Sequence, residues 1–425
     1  MSTVSSPTPT QQRSIERKVL ANGTTLLYAP NPYNQIVAVR IISRFGSRHD
    51  LSSKAGMANL AMRLLSSGTE THTEEEIANL LEQNGAHFKA EAGKDWCSVD
   101  LMTTVDNLRE DLAVVLNLLD SPVFPEDKLK REREVVRMNI LEQEDSRLTA
   151  TFRFFRQRYY GTHPYSWPSI GLIETLDSIE RDDLVRYSEA ALHPSQLVVS
   201  VVGGAENDEV YGSIHDSFAA RVARTEIASP ELAPASPAFN GNQEIMEQHE
   251  TESEYLVIGY PGCGLADKES MCLRLISTIL GGSMDSRLFR EIRDKRGLCY
   301  QVGSAYTPHQ DHSPLIAYVV TTSPNRQQAA DCTIAEIERL KEELVSPEEL
   351  RRVKTYINGT YIMSLETNMG QATRYGVYEI AGLGWDYVNR FTQEVEQVTP
   401  EEIQATARKF FTQRLVAITA SKNKN

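Results

Sequence analysis

A chain of 425 residues is too long for one ordinary core, and two domains of about 200 residues each are the natural expectation. Its 40% hydrophobic and 24% charged residues are ordinary globular composition, and no apolar run approaches the ~20 residues of a membrane span. A net charge of −14 argues against generic nucleic-acid binding and leaves a positively charged partner or peptide open.

Taken in chain order, residues 1–14 begin with a Ser/Thr/Pro-rich stretch without an apolar segment and are expected to be a mobile tail. Residues 36–42, rich in Val and Ile, read as a strand. From 56 to 65, apolar residues at Met57, Leu60, Ala61, Leu64 and Leu65 make a helical stripe. Residues 98–102 alternate as a strand does, and 108–119 and 125–141 read as helices, the second with a proline in its first turn. An apolar strand follows at 197–202. The Pro/Ala/Ser stretch 228–237 sustains neither helix nor sheet, so a linker is placed at 225–242, between domains at 15–224 and 243–425. Beyond it, 301–306 and 415–420 read as strands.

The second half repeats the first. Pro125-Glu126-Asp127 returns as Pro347-Glu348-Glu349, and Ile179-Glu180-Arg181-Asp182-Asp183-Leu184 returns as Val398-Thr399-Pro400-Glu401-Glu402-Ile403, each of the latter leading to an apolar strand. Three elements in one order at a nearly constant offset argue for duplication. The expected fold is α+β: two homologous α/β sandwich domains, each a mostly antiparallel sheet covered by helices. Five cysteines with no C-x-x-C pair suggest reduced thiols in a cytoplasmic protein.

Three stretches carry a resemblance: Leu20-Ala21-Asn22-Gly23, Gly56 to Thr69, and Leu280-Gly281-Gly282-Ser283-Met284-Asp285-Ser286-Arg287-Leu288-Phe289 running into Arg293–Tyr300. On these the chain resembles the pitrilysin-type zinc peptidases, particularly the two-domain branch of mitochondrial processing peptidase and its bacterial relatives. It lacks the long glycine-rich loop of the mitochondrial α-subunit, which argues against identity with that subunit. The resemblance implies H-x-x-E-H on the helix at 56–65, two histidines binding zinc and a glutamate acting as base. Those places here hold Asn59, Met62 and Arg63. Asn is a poor ligand, Met takes no proton, and Arg sets a fixed charge where Zn²⁺ belongs.

The family's third ligand, a glutamate, aligns with 135–140, where Met138 and Asn139 carry no carboxylate and Glu134 and Glu142 stand about a turn away. A bland reading stands beside this one: Met62 and Met138 as packing atoms, Asn59 and Arg63 serving the fold. No metal is expected in this chain. By the same resemblance, Arg293 and Tyr300, seven residues apart, reach from a zinc-lacking domain to the peptide carbonyl near the scissile bond. The implied function is a non-catalytic subunit: a zinc-bearing partner cleaves extended peptides, and this chain supplies Arg293 and Tyr300. The alternative is a structural or peptide-binding scaffold with no proteolytic role. Residues 301–306, or their counterpart 87–93, are expected to offer a strand to substrate. His309 and His312 form a weak candidate metal pair.

Overall fold

The computed structural model describes residues 15–204, 208–222 and 232–422. The expected tail at 1–14 and part of the expected linker, 225–231, lie outside these residues. In the first half, β1 (Glu16–Val19), β2 (Thr25–Ala29), β3 (Ile36–Ser43), β4 (His87–Ala92), β5 (Cys97–Thr104) and β6 (Leu197–Val202) form one sheet, ordered β1-β2-β6-β3-β5-β4. In the second, β7 (Gln243–His249), β8 (Glu254–Tyr260), β9 (Gln301–Ala305), β10 (Leu315–Thr321) and β11 (Leu415–Ser421) are ordered β7-β11-β8-β10-β9.

Apart from the extra edge strand β1, the two orders are the same. In each sheet one pair is parallel, β2 with β6 and β7 with β11, and the other pairs are antiparallel. The repeat read from the sequence is therefore a repeat of topology. β6 and β11 sit inside their sheets and are buried almost throughout, which is why both read as unbroken apolar runs rather than as alternating ones.

The helices of the first half are α1 (Met57–Arg63), α2 (Glu74–Glu82), α3 (Leu108–Asp120), α4 (Glu126–Asp145), α5 (Arg147–Tyr160), α6 (Ile173–Leu176), α7 (Arg181–Ala191) and α8 (Asp208–Ala219). Those of the second are α9 (Ser270–Gly281), α10 (Arg326–Glu342), α11 (Pro347–Met363), α12 (Asn368–Ile380), α13 (Tyr387–Gln397) and α14 (Pro400–Phe410). Local chemistry starts several of them. Thr73 with Glu76 and Thr399 with Glu402 form reciprocal caps, and Ser346 caps α11 with Pro347 in its first turn.

Two helices cross between the halves. α5 lies across β8 and β11 of the second sheet, where Thr151 Oγ1 donates to Thr419 Oγ1 at 2.7 Å. Its counterpart α12 lies across β3 and β6 of the first sheet, and Asn368 Nδ2 donates to the Ile36 carbonyl at 2.7 Å. At each crossing a glycine sits where the two elements approach closely. A Cβ on Gly259 of β8 would lie 2.1 Å from Phe155 Cζ, and one on Gly376 of α12 would lie 2.6 Å from Ile42 Cδ1. The buried core follows the exchange, since one apolar cluster joins Leu27, Ile42 and Val198 to Ala372 and Tyr375.

The described end of the connector is tied down. Ala238 N–H donates to the Tyr159 carbonyl at 2.7 Å, and Phe239, 4% exposed, packs its ring on Tyr159. All five cysteines are free thiols. Among the described residues, no helix is long and apolar enough to cross a membrane.

Candidate functional site

α1 begins where Gly56 takes a left-handed conformation (φ 102°) and Asp50 accepts the N–H groups of Gly56 and Ala58 at 2.9 and 3.0 Å. Burial pushes the Asp50 carboxyl up to about 7, against the pull of these backbone bonds. Leu60, Ala61 and Met62 point into the core, with Met62 only 2% exposed. The position that would hold the catalytic base is therefore filled by a packed thioether. Asn59 is half-buried and its Nδ2 has no hydrogen-bond partner. Arg63, one turn on, pairs through Nε with Glu132 of α4.

Glu132 is the residue that sequence reasoning missed. Glu134 and Glu142 were the carboxylates considered, and Glu134 instead pairs with Arg137 at 3.6 Å on its own helix. Met138 is 64% exposed, so the expectation that it packs is corrected: together with Val135 and Leu141 it leaves apolar surface on α4.

These positions do not fit zinc. They carry an amide, a buried thioether and a guanidinium that is paired with Glu132. Among the described residues, no group of three His, Cys, Asp or Glu side chains could hold a metal. Arg63 and Glu132 are both partly exposed, so the pair is worth ~0–1 kcal/mol. Arg63→Ala is expected to lower unfolding stability by less than about 1 kcal/mol; a larger loss in a denaturant titration would mean that the pair pins α1 to α4.

Arg293 lies in the last turn of a short π-helix, Phe289–Asp294, with its guanidinium 4.7 Å from the centre of the Phe289 ring. Tyr300 precedes β9, with its backbone N–H on the Val320 carbonyl at 2.8 Å and its side chain 64% exposed. Among the described residues neither side chain has a hydrogen-bond or ion-pair partner, so the donors of both are free. No hydrogen bond, ion pair or ring contact between described residues joins them to α1 or α4. β9 and β4 each lie at one edge of their sheet, with β7 and β1 at the other edges, so both segments named as candidates to offer a strand are edge strands.

The His309–His312 pair is split between two partners. His309 Nδ1 meets Asp95 Oδ2 at 3.2 Å and stacks on Tyr165 (4.4 Å between rings), while His312 Nε2 meets the Tyr159 hydroxyl at 2.7 Å. This loop therefore docks the second half on the first. Asp95, 5% exposed, also accepts from Arg48 Nη1 at 3.1 Å and from Tyr165. Burial alone would raise its carboxyl, but the bonds from His309, Tyr165 and Arg48 and the charge of His309 outweigh it and hold the group at about 2.

A depressed acid stabilises the fold above its unfolded pKa, and that stability is lost as pH falls through the folded value. The drop from 3.8 to about 2 corresponds to about 2 kcal/mol at neutral pH. Asp95→Asn should unfold earlier than wild type at pH 7 by about this much, with the gap closing between pH ~4 and ~2. A gap independent of pH would assign the loss to packing.

With this geometry in place, the comparisons with known proteins are specific. Residues 25–168 match the family described as insulinase (peptidase family M16), and residues 178–357 match the peptidase M16 inactive domain. The uncharacterized zinc protease YmxG of Bacillus subtilis (strain 168) is 26% identical over 399 residues, covering 94% of this chain and 96% of that protein. An uncharacterized zinc protease of Mycobacterium leprae (strain TN) is 25% identical over 399 residues, covering 94% and 89%. The solved peptidase M16 inactive domain from Pseudomonas fluorescens shares the fold with a TM-score of 0.87 at 22% identity, over 97% of this chain and 99% of that one. A chain of complex III2 from Candida albicans does so with 0.80 at 16%, over 96% of each.

Proposed function

The chain belongs to the M16 peptidase family, and from that membership we propose that it is a zinc-free subunit that completes a zinc-bearing partner of the same family. The observation that carries this reading is the contrast between its two halves. On α1, Met62 is packed in the core and Arg63 is paired with Glu132 of α4, while Arg293 and Tyr300 stand exposed with donors that no described residue uses. The partner brings metal and base. Arg293 and Tyr300 donate to the peptide carbonyl and to the oxyanion that grows on it. An extended substrate pairs with an open edge strand. The free thiols accord with a reducing cytoplasm.

The test is reconstitution. The purified chain should not hydrolyse unfolded peptides, the zinc-bearing partner alone should be slow, and the mixture should cleave and be stopped by chelation. Chelator-sensitive cleavage by this chain alone would sink the proposal. A second reading, a scaffold without proteolytic role, draws support from the fold it shares with a chain of complex III2. Stable assembly with partners but no gain of activity in the mixture would favour it.

A further inference from the structure

A crevice of about 20 Å³ opens between the end of α4, one face of α5 and residues 168–170. Thr149, Arg153 and Arg156 stand at i, i+4 and i+7 on α5, so successive members leave the helix about 5–6 Å apart and share this wall. Two of the three are engaged. Arg153 donates from Nη1 to Glu144, and Thr149 shares a hydrogen bond with Ser146 at 2.9 Å. Arg156 is half-buried, and among the described residues its guanidinium makes no hydrogen bond, ion pair or ring contact. Its Nε is sealed in the wall, whereas Nη1 and Nη2 are not sealed and open on the crevice with their N–H groups unused.

The surroundings of Arg156 are cationic. Beside Arg153 there is the Lys94 ammonium, buried on the carbonyls of Pro164 and Trp167, which feels the Arg156 charge and is offset by Asp50 and Asp95. Burial and the charge of Arg153 both act against the cationic form of Arg156, so leaving it without a counterion is costly. An anion seated on Nη1 and Nη2 removes that cost through a two-pronged, charge-assisted pair. The crevice holds little more than one water-sized group, so only the head of a ligand enters. A planar carboxylate matches the guanidinium edge, and Ile140, Ala150 and Ile170 give the rest of the wall an apolar face for the methylene next to it. Glu142, Glu144 and Asp145 in the last turn of α4 oppose a second negative charge, which favours a monoanion over phosphate. Gln143, exposed on the same wall, adds an amide donor.

We propose that this crevice binds a single carboxylate head, held by the free edge of Arg156 with Gln143 beside it. The carboxylate belongs either to a small free acid or to an acidic side chain of a peptide. The inference needs only this crevice and stands apart from the role of Arg293 and Tyr300.

Titrations of the full chain at low ionic strength, followed by its unfolding temperature, test it with acetate, chloride, phosphate and two capped glycine-rich peptides that differ only in a central Glu or Gln. A saturable rise with acetate or the Glu peptide is expected, with chloride and phosphate about tenfold weaker. A Glu peptide tighter than both acetate and its Gln counterpart assigns the carboxylate to a peptide; acetate binding with the two peptides alike assigns it to a free acid. Arg156→Met keeps the aliphatic stem and removes the fork, and should weaken the tighter ligand about tenfold. Gln143→Glu, at an exposed position, brings a carboxylate of the chain's own to the crevice and should exclude the added one to a similar extent, which keeps the test alive if Arg156→Met does not fold. No saturable effect of acetate or of the Glu peptide, chloride or phosphate as effective as either, or wild-type affinity in Arg156→Met or Gln143→Glu would each overturn the proposal.

Discussion

Arg293→Ala and Tyr300→Phe should each lower kcat of the mixed complex by about 10²-fold, the usual cost of losing one donor to a developing oxyanion. The reason is geometric. A group that touches substrate only as charge develops on the carbonyl oxygen stabilises the transition state more than bound peptide, so kcat falls while KM moves little. Tyr300→Phe is the sharper probe, since the ring stays and only the O–H leaves. With no hydrogen-bond partner for either side chain among the described residues, neither change should disturb folding or assembly, and the mass of the complex should be unaltered. Lys295→Ala is the matched control: Lys295 sits on the same segment but is engaged with Glu291. If both variants cleave like wild type in an assembled complex, Arg293 and Tyr300 do not contact substrate.

Gly259→Ala should destabilise the chain by about 3 kcal/mol. The new Cβ would meet Phe155 Cζ at 2.1 Å, far inside van der Waals contact, and Phe155 is fully buried with no room to retreat. Either α5 lifts from the second sheet or β8 bends. Shortening the obstacle should help, so Phe155→Leu combined with Gly259→Ala should cost less than the two separate losses summed. Gly212→Ala supplies the contrast. Gly212 lies in α8 with nothing within 4 Å of its missing Cβ, so the change should stabilise by about 1 kcal/mol. Denaturant midpoints measure both, and a Gly259→Ala protein as stable as wild type would show that the helix shifts freely on its sheet.

Much of the fold was legible because its signals are local. The apolar runs at 197–202 and 415–420 fall on β6 and β11, and the stripe at 56–65 covers α1. Prolines 125 and 347 mark the starts of the equivalent helices α4 and α11, which carries the duplication. The crossing of α5 and α12 was not legible, because a helix's apolar face does not say which sheet it covers. Gly259 and Gly376 leave only an unexplained glycine in the sequence. The departures at Asn59, Met62 and Arg63 could be read one residue at a time, whereas Glu132 becomes relevant only once α4 is laid beside α1. In the same way Asp95 and His309, 214 residues apart, meet only in the fold. A count of chemical residue types would rank His309 and His312 together, although they serve different neighbours.

The reciprocal crossing bears on how such a chain could arise and be divided. Each sheet owes one of its covers to the other half, so a polypeptide of either half by itself would expose a bare sheet face and an orphan amphipathic helix. A single-copy ancestor built this way would have buried both by pairing with itself, each copy lending its helix to its twin, as swapped dimers do. Fusion end to end preserves that arrangement within one molecule. It also predicts that the separately expressed halves are insoluble alone yet rescue one another when made together.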